Sequence, residues 1–227
     1  METLKAIEIP GMKDRALAEF KSLGGTVDEI LFIDESAPRY TIDVQYLFMN
    51  DWAFNKLYIS RPGRHVDIGS QLPFLFHLSN FFPVTFVDIR DPGISLKRFS
   101  YLHGDITNLA LDDNSIDSLS SLHVAEHIGL GRYGDKLDPD GFYKACSELS
   151  RVLAVGGKLY FAVPCGIPKV FFNAHRVLGV PQVIEAFGGL KLTEFSAITS
   201  SGVYARNTMV QLLENDPYGV GLFEFTK

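Results

Sequence analysis

The sequence predicts an α/β fold in which a doubly wound, mostly parallel sheet follows an N-terminal helical extension. Two observations carry this. From residue 61 onward, short β-branched or aromatic runs alternate with stretches of helical periodicity, the pattern of a sheet covered by helices on both faces. Aspartates close successive apolar runs at Asp67, Asp88 and Asp105, which gathers polar groups along one sheet edge, where open α/β folds bind ligands.

The elements follow in order. Residues 12–23 read as a short helix that Gly24-Gly25 ends. Residues 42–59 place Val44, Leu47, Phe48, Trp52, Leu57 and Ile59 at near-helical intervals, and Arg61-Pro62-Gly63 breaks the pattern. Residues 1–60 therefore form the expected helical cap and 61–227 the core domain, with Trp52 and Phe48 as packing residues. Runs 64–68 and 84–88 suit buried parallel strands, and Pro73 through Phe82 suits a helix with proline in its first turn. A third strand ends near Asp105 and a fourth spans 115–122. Phe142, Ala145, Cys146, Leu149, Val152 and Leu153 make an apolar stripe, so residues 140–153 form a helix with Asp140 as cap. Gly156-Gly157 supplies the turn into a strand over 158–163. A helix over 180–187 and strands over 190–198 and 218–226 complete the domain.

Composition bounds the function. No apolar run approaches the roughly 18 residues that cross a membrane, and the start lacks the pattern of a secretory signal. Cys146 and Cys165 make no disulfide framework, so a cytoplasmic setting is expected. The net charge of −6 and the lack of a basic cluster argue against nucleic acid as the main partner.

The strand-end residues carry the chemistry. Asp67-Ile68-Gly69-Ser70 lies between a strand and a helix, and glycine there lets the backbone approach a ligand closely. Asp88 ends the next strand, where a carboxylate accepts both hydroxyls of a ribose, and Asp105 is within reach of an adenine amino group. His123, Glu126 and His127 follow the fourth strand, and on a helix they would share a face. His127 is the candidate base for a substrate hydroxyl, with Glu126 orienting it. Gly129-Leu-Gly-Arg-Tyr-Gly134 matches G-x-G-x-x-G in letters, but no strand precedes it and no helix follows. It reads as a flexible loop over the sheet edge, offering Arg132 and Tyr133 to a substrate. Asn173 and Arg176, three apart, suit one helical face and, with His175, a polyol or anion. No spacing suits a metal, and Cys165 lacks an activating partner.

At this point the chain resembles the class I S-adenosylmethionine-dependent methyltransferases over residues 60–227. Asp67-Ile-Gly69 looks like their first motif, Asp88 their ribose-binding acid and Gly104-Asp105 their adenine-side acid. Residues 111–128, Leu-Asp-Asp-Asn-Ser-Ile-Asp-Ser-Leu-Ser-Ser-Leu-His-Val-Ala-Glu-His-Ile, are similar to the pattern LPFPDNSFDLVVSSHVLEHI of small-molecule methyltransferases. Residues 148–159, Glu-Leu-Ser-Arg-Val-Leu-Ala-Val-Gly-Gly-Lys-Leu, resemble EIARVLKPGGRL. The wording Glu-His-Ile-Gly-Leu-Gly-Arg-Tyr-Gly-Asp also looks like a methyltransferase-like group of unknown function.

The resemblance implies a seven-stranded Rossmann-like sheet and S-adenosyl-L-methionine held by Asp67, Gly69, Ser70, Gln71, Asp88, Asp105, Ile106 and His123. It implies methyl transfer to a small polar acceptor, a sugar hydroxyl being one candidate, with Arg132, Tyr133, Asn173, His175 and Arg176 on the substrate side. One departure stands out. The family loop runs acid-x-Gly-x-Gly-x-Gly, and here Gln71 and Pro73 replace the second and third glycines. That motivates an alternative, a degenerate methyltransferase fold used for binding or scaffolding. An NAD-dependent oxidoreductase shares the logic of Asp88 but lacks G-x-G-x-x-G after the first strand.

Overall fold

The computed structural model describes Ala18 and residues 42–227; the helix expected over 12–23 lies outside the described residues apart from Ala18, which is helical. Asp43–Lys227 forms one compact unit. It opens with helix α1, Val44–Ser60, capped by the Asp43 carboxylate, which accepts from the Gln45 and Tyr46 amides. Left-handed Arg61 ends the helix. Then come β1 (His65–Ile68), α2 (Leu72–Leu78), β2 (Val84–Asp88), β3 (Phe99–His103) and β4 (Ile116–Leu122). A 3-10 turn, Ala125–His127, leads towards α3 (Gly141–Val152) and β5 (Leu153–Cys165). A hairpin of β6 (Lys169–Phe171) and β7 (His175–Val177) follows, then α4 (Val180–Ala186), β8 (Lys191–Ile198), β9 (Tyr204–Ala205) and β10 (Gly219–Thr226).

The main sheet has the order β3-β2-β1-β4-β5-β10-β8-β9. Its first five strands run parallel, and β10 enters antiparallel between β5 and β8. This is the doubly wound, mostly parallel sheet that the sequence predicts, with eight strands instead of seven because the two-residue β9 extends one edge. The parallel strands bury both faces and therefore read as continuous apolar runs; β1 is buried at all four positions.

Each face has its own core. Phe142, Leu149, Phe161, Phe187 and Phe223 pack α3 and α4 against one face. Met49, Trp52, Leu57, Leu75 and Tyr160 pack α1 and α2 against the other. Trp52 meets Tyr160 edge-on with ring centroids 6.1 Å apart, and Phe48 stacks on Tyr204. Lys56 of α1 bridges Glu194 of β8 and Glu224 of β10 at 2.5 and 2.7 Å.

Four local expectations are corrected. Helix α2 stops at Leu78 because the Ser79 hydroxyl and Asn80 amide bond back to the Phe76 carbonyl. Gly156-Gly157 is not a turn between helix and strand. Strand β5 starts at Leu153, and residues 154–157 bulge where β4 has only Asp117, with Gly156 at φ +78°. Asp140 stands at the start of α3 without a side-chain capping bond. Residues 171–176 form the β6–β7 hairpin and its turn, so Asn173 and Arg176 share no helical face.

Candidate active site

Two adjoining cavities, of about 590 and 580 Å³, open at the carboxyl ends of β1, β2 and β4. Both are lined by Gly69, Asp88, Arg90, His123, His127 and Tyr133, so they are lobes of one cleft divided by those residues.

The first lobe is the one the strand-end acids predict. Ile89, Ile106 and Val124 give it apolar walls, and Asp88, Asp105 and Thr107 give it polar edges. Asp105 bonds the Thr107 amide and hydroxyl through one carboxylate oxygen. Asp88 accepts from the Arg90 amide at 2.8 Å and from Arg90 Nε at 3.2 Å. Gly69, at φ +74°, is tight against this lobe: a Cβ there would lie 2.8 Å from Val124 Cγ1.

Beneath the loop after β1 is a closed polar network. Asp67 is fully buried and lines neither lobe. It accepts from the Ser70 amide at 2.9 Å, the Ser70 hydroxyl at 2.7 Å and the Ser120 hydroxyl. Ser120 also meets His65 Nε2, and His65 Nδ1 meets the Ser118 hydroxyl, each at 2.8 Å. Burial pushes the Asp67 carboxyl up to about 6 against the pull of its serine partners, and pushes the His65 imidazole down to about 3. Ser70 is therefore turned inward, and Leu122 N–H donates to its hydroxyl. Gln71 is exposed at an ordinary φ of −63° and lines the second lobe, so the backbone here does not require glycine.

The second lobe is built around Glu126, only 1% exposed. His123 Nδ1 lies 2.7 Å from Glu126 Oε1, and His127 Nε2 lies 3.7 Å from the same oxygen. Positions 125–127 form a 3-10 turn instead of an α-helix, and His123 precedes it in a left-handed conformation, φ +57°. His127 Nδ1 lies 2.7 Å from the Ala174 carbonyl, which requires its hydrogen on Nδ1 and leaves the lone pair on Nε2. The 3.2 Å approach of Arg132 Nη1 to that nitrogen is then no hydrogen bond; Arg132 donates to the Ala174 carbonyl at 3.1 Å. His175 lines this lobe, and its burial disfavours the imidazolium.

The loop 129–134 winds around the Asp135 carboxylate, which accepts from the Gly129, Gly131 and Tyr133 amides. Burial opposes ionisation of Asp135, but these three donors outweigh it and hold the carboxyl below its usual range. The loop carries Tyr133 to the divide, with the Arg90 and Arg132 guanidiniums 4.7 and 5.2 Å from its ring centre.

The cleft thus brings together Gly69, Ser70, Gln71, Asp88, Asp105, Ile106, His123, Glu126, His127, Arg132, Tyr133 and His175. Asn173 is exposed on the hairpin turn and lines neither lobe. Arg176 is buried and donates to the carbonyls of Ile128, Glu126 and Pro139, tying the hairpin to the loop. Sequence reasoning missed Tyr46, Arg90 and Tyr218. Only Arg90 left a signal, a cation two residues after the strand-end acid. Among the described residues, no cluster of His, Cys, Asp or Glu suits a metal, and no helix is long and apolar enough to cross a membrane.

A family model described as a Caenorhabditis protein of unknown function, DUF268, matches residues 105–210. The chain matches no curated protein. Among solved structures it is similar to the N-methyltransferase NodS of Bradyrhizobium japonicum WM9 in complex with S-adenosyl-L-homocysteine, with a TM-score of 0.53, 15% identity, and 85% of this chain and 92% of that one covered. It is similar to a proposed sarcosine dimethylglycine methyltransferase from Galdieria sulphuraria (TM-score 0.58, 13% identity, 93% and 97% covered). The [4+2]-cyclase SpnF aligns at TM-score 0.59 with 13% identity, covering 95% and 93%. At such identities the likeness establishes the fold, that of the class I S-adenosylmethionine-dependent methyltransferases.

Proposed function

We propose that this chain transfers a methyl group from S-adenosyl-L-methionine to a hydroxyl of a small polar acceptor such as a sugar. The observation that carries the reading is the divided cleft: a lobe suited to a nucleoside meets a lobe with a buried carboxylate and imidazoles, and the two share His123 and His127. The residues of the first lobe fit the cofactor. Ile89, Ile106 and Val124 suit the two faces of an adenine, Asp88 a ribose diol and Asp105 the exocyclic amine, and Gly69 lets Val124 pack directly against the loop backbone.

When bound, S-adenosylmethionine supplies an electrophilic methyl on a sulfonium, and the protein's share is alignment and proton handling. His127 would take the hydroxyl proton at Nε2, a role supported by the Ala174 carbonyl, which holds the other nitrogen protonated. Glu126, 3.7 Å from Nε2, would stabilise the resulting imidazolium. Arg132 and Tyr133 close the lobe over the acceptor, and Asn173 at the hairpin turn would meet it only from the rim. Arg176 would act through the shape of the loop it ties down.

A second reading, a cofactor-free binding protein on the same fold, is favoured by Gln71 and Pro73 in the loop and by Arg90 occupying the Asp88 carboxylate. SpnF, a [4+2]-cyclase, has the same fold, which alone does not fix the reaction. Calorimetric titration with S-adenosylmethionine separates the two. Saturable sub-millimolar binding that Asp88→Ala removes supports the enzyme; absence of any binding sinks it.

A further inference from the structure

Three buried polar atoms of the second lobe have no hydrogen-bond partner among the described residues: His123 Nε2, Glu126 Oε2 and His175 Nε2. All three residues line the same cavity. Native proteins rarely leave such groups unpaired, and an unpaired charged group is the costliest kind. Two of the three have a fixed role. Glu126 Oε2 belongs to a carboxylate and only accepts. His123 Nδ1 donates to Glu126 Oε1 at 2.7 Å, so His123 Nε2 carries the lone pair and also accepts. Whatever completes this lobe must bring hydrogens.

Charge and shape narrow it further. The lining carries Asp43, Asp88, Asp91 and Glu126 against Arg90 and Arg132, and Arg90 is already paired with Asp88. Glu126 is 1% exposed and has no Lys or Arg partner among the described residues. Aromatic rings line the same lobe: Tyr46 packs on His123 with centroids 5.2 Å apart, and Tyr218 packs on His175 at 5.5 Å. A buried carboxylate in a lobe lined by aromatic rings suits an ammonium, through charge, multiple N–H donors and cation–π attraction.

We propose that the second lobe is an ammonium-binding subsite, in which Glu126 and His123 accept from a protonated amino group of the acceptor. This rests on reading the lobe as the acceptor's, and it deepens that reading: the acceptor is an amino alcohol, such as an amino sugar, rather than a neutral polyol. The amino group is seated on Glu126 and His123, and a hydroxyl of the same molecule faces His127.

Ligand-observed NMR on the full chain, with glucosamine and ethanolamine set against glucose and ethylene glycol, tests this. The amines should bind saturably and at least about tenfold more tightly than their amine-free counterparts, a difference of ~1.4 kcal/mol. Glu126→Gln, which keeps the shape and removes the charge, should erase that preference. Tyr218→Leu, which leaves the carboxylate network untouched, should weaken amine binding several-fold. Equal binding of amines and polyols, no binding of either amine, or an amine preference that survives in a folded Glu126→Gln protein would overturn the proposal. A parallel titration with S-adenosylhomocysteine keeps the two claims apart. Amine binding without cofactor binding defeats the methyltransferase reading alone, and the reverse defeats the ammonium subsite alone.

Discussion

Asp67 and Glu126 are both buried carboxylates at the end of the same sheet, and their surroundings are opposite. Asp67 has its oxygens filled by Ser70 and Ser120, and the histidine next in that network is itself satisfied by serines. Glu126 has one oxygen bonded to His123 and the other without a partner among the described residues. A saturated buried acid holds structure in place; a buried acid with a free acceptor oxygen facing a cavity is suited to take a hydrogen-bond donor there. The first fixes the loop after β1 through Ser70, and the second faces the cavity beyond that loop.

The pH dependence of stability bears on the Asp67 side and should show the largest effects. With its carboxyl pushed up to about 6, folded Asp67 keeps a proton that the unfolded chain has already lost, so its contribution to stability falls as pH rises from about 4 to 6. With His65 pushed down to about 3, the folded imidazole stays neutral while the unfolded one is protonated, so its contribution rises with pH between about 3 and 6.5. The two slopes oppose each other, and these two contributions nearly cancel between about pH 4 and 6. Asp67→Asn should uncover the rising slope and His65→Gln the falling one, each amounting to ~3 kcal/mol or more across the window. Chemical denaturation at stepped pH measures this, and parallel curves for both variants would break the account of Asp67 as a buried, saturated carboxyl whose proton is held up to about pH 6.

On the Glu126 side, His127→Ala should lower methyl-transfer turnover on the order of a hundredfold while leaving cofactor affinity unchanged. Unchanged turnover would move proton handling elsewhere in the lobe. The smallest effect belongs to Gly69, which borders both lobes. Gly69→Ala adds a Cβ at positive φ and 2.8 Å from Val124, and should cost about 1–2 kcal/mol, read as a lowered Tm. A rise in Tm would show that the loop relaxes freely and that the close approach is incidental.

The two acids also mark how far the sequence could be read. The contact between His123 and Glu126 is three residues long, and Asp88 ends β2 where a local apolar run puts it, so these were legible; Asp105, expected at the end of the third strand, lies two residues beyond β3. The α3 stripe was legible for the same reason: Phe142, Ala145, Cys146, Leu149 and Val152 are all buried where helical spacing puts them. The network that occupies Asp67 joins residues 53 and 55 apart in sequence and leaves no local pattern. Tyr46 and Tyr218 reach the cleft from the first helix and from the loop before the last strand, and nothing near them in sequence signals it. The β6–β7 hairpin was misread because Phe171-Phe-Asn-Ala-His-Arg176 is too short to show a period, and two residues chosen for one helical face proved to be on a turn and in a buried clamp.

The most direct test of the contrast is a calorimetric titration of S-adenosylhomocysteine into the wild-type chain and its Asp67→Asn and Asp88→Ala variants. A working nucleoside lobe above a purely structural Asp67 predicts sub-millimolar binding by the wild type, binding within about threefold of it by Asp67→Asn (~0.7 kcal/mol at most), and loss in Asp88→Ala. Equal loss in both variants, or no binding by any of the three proteins, would contradict it.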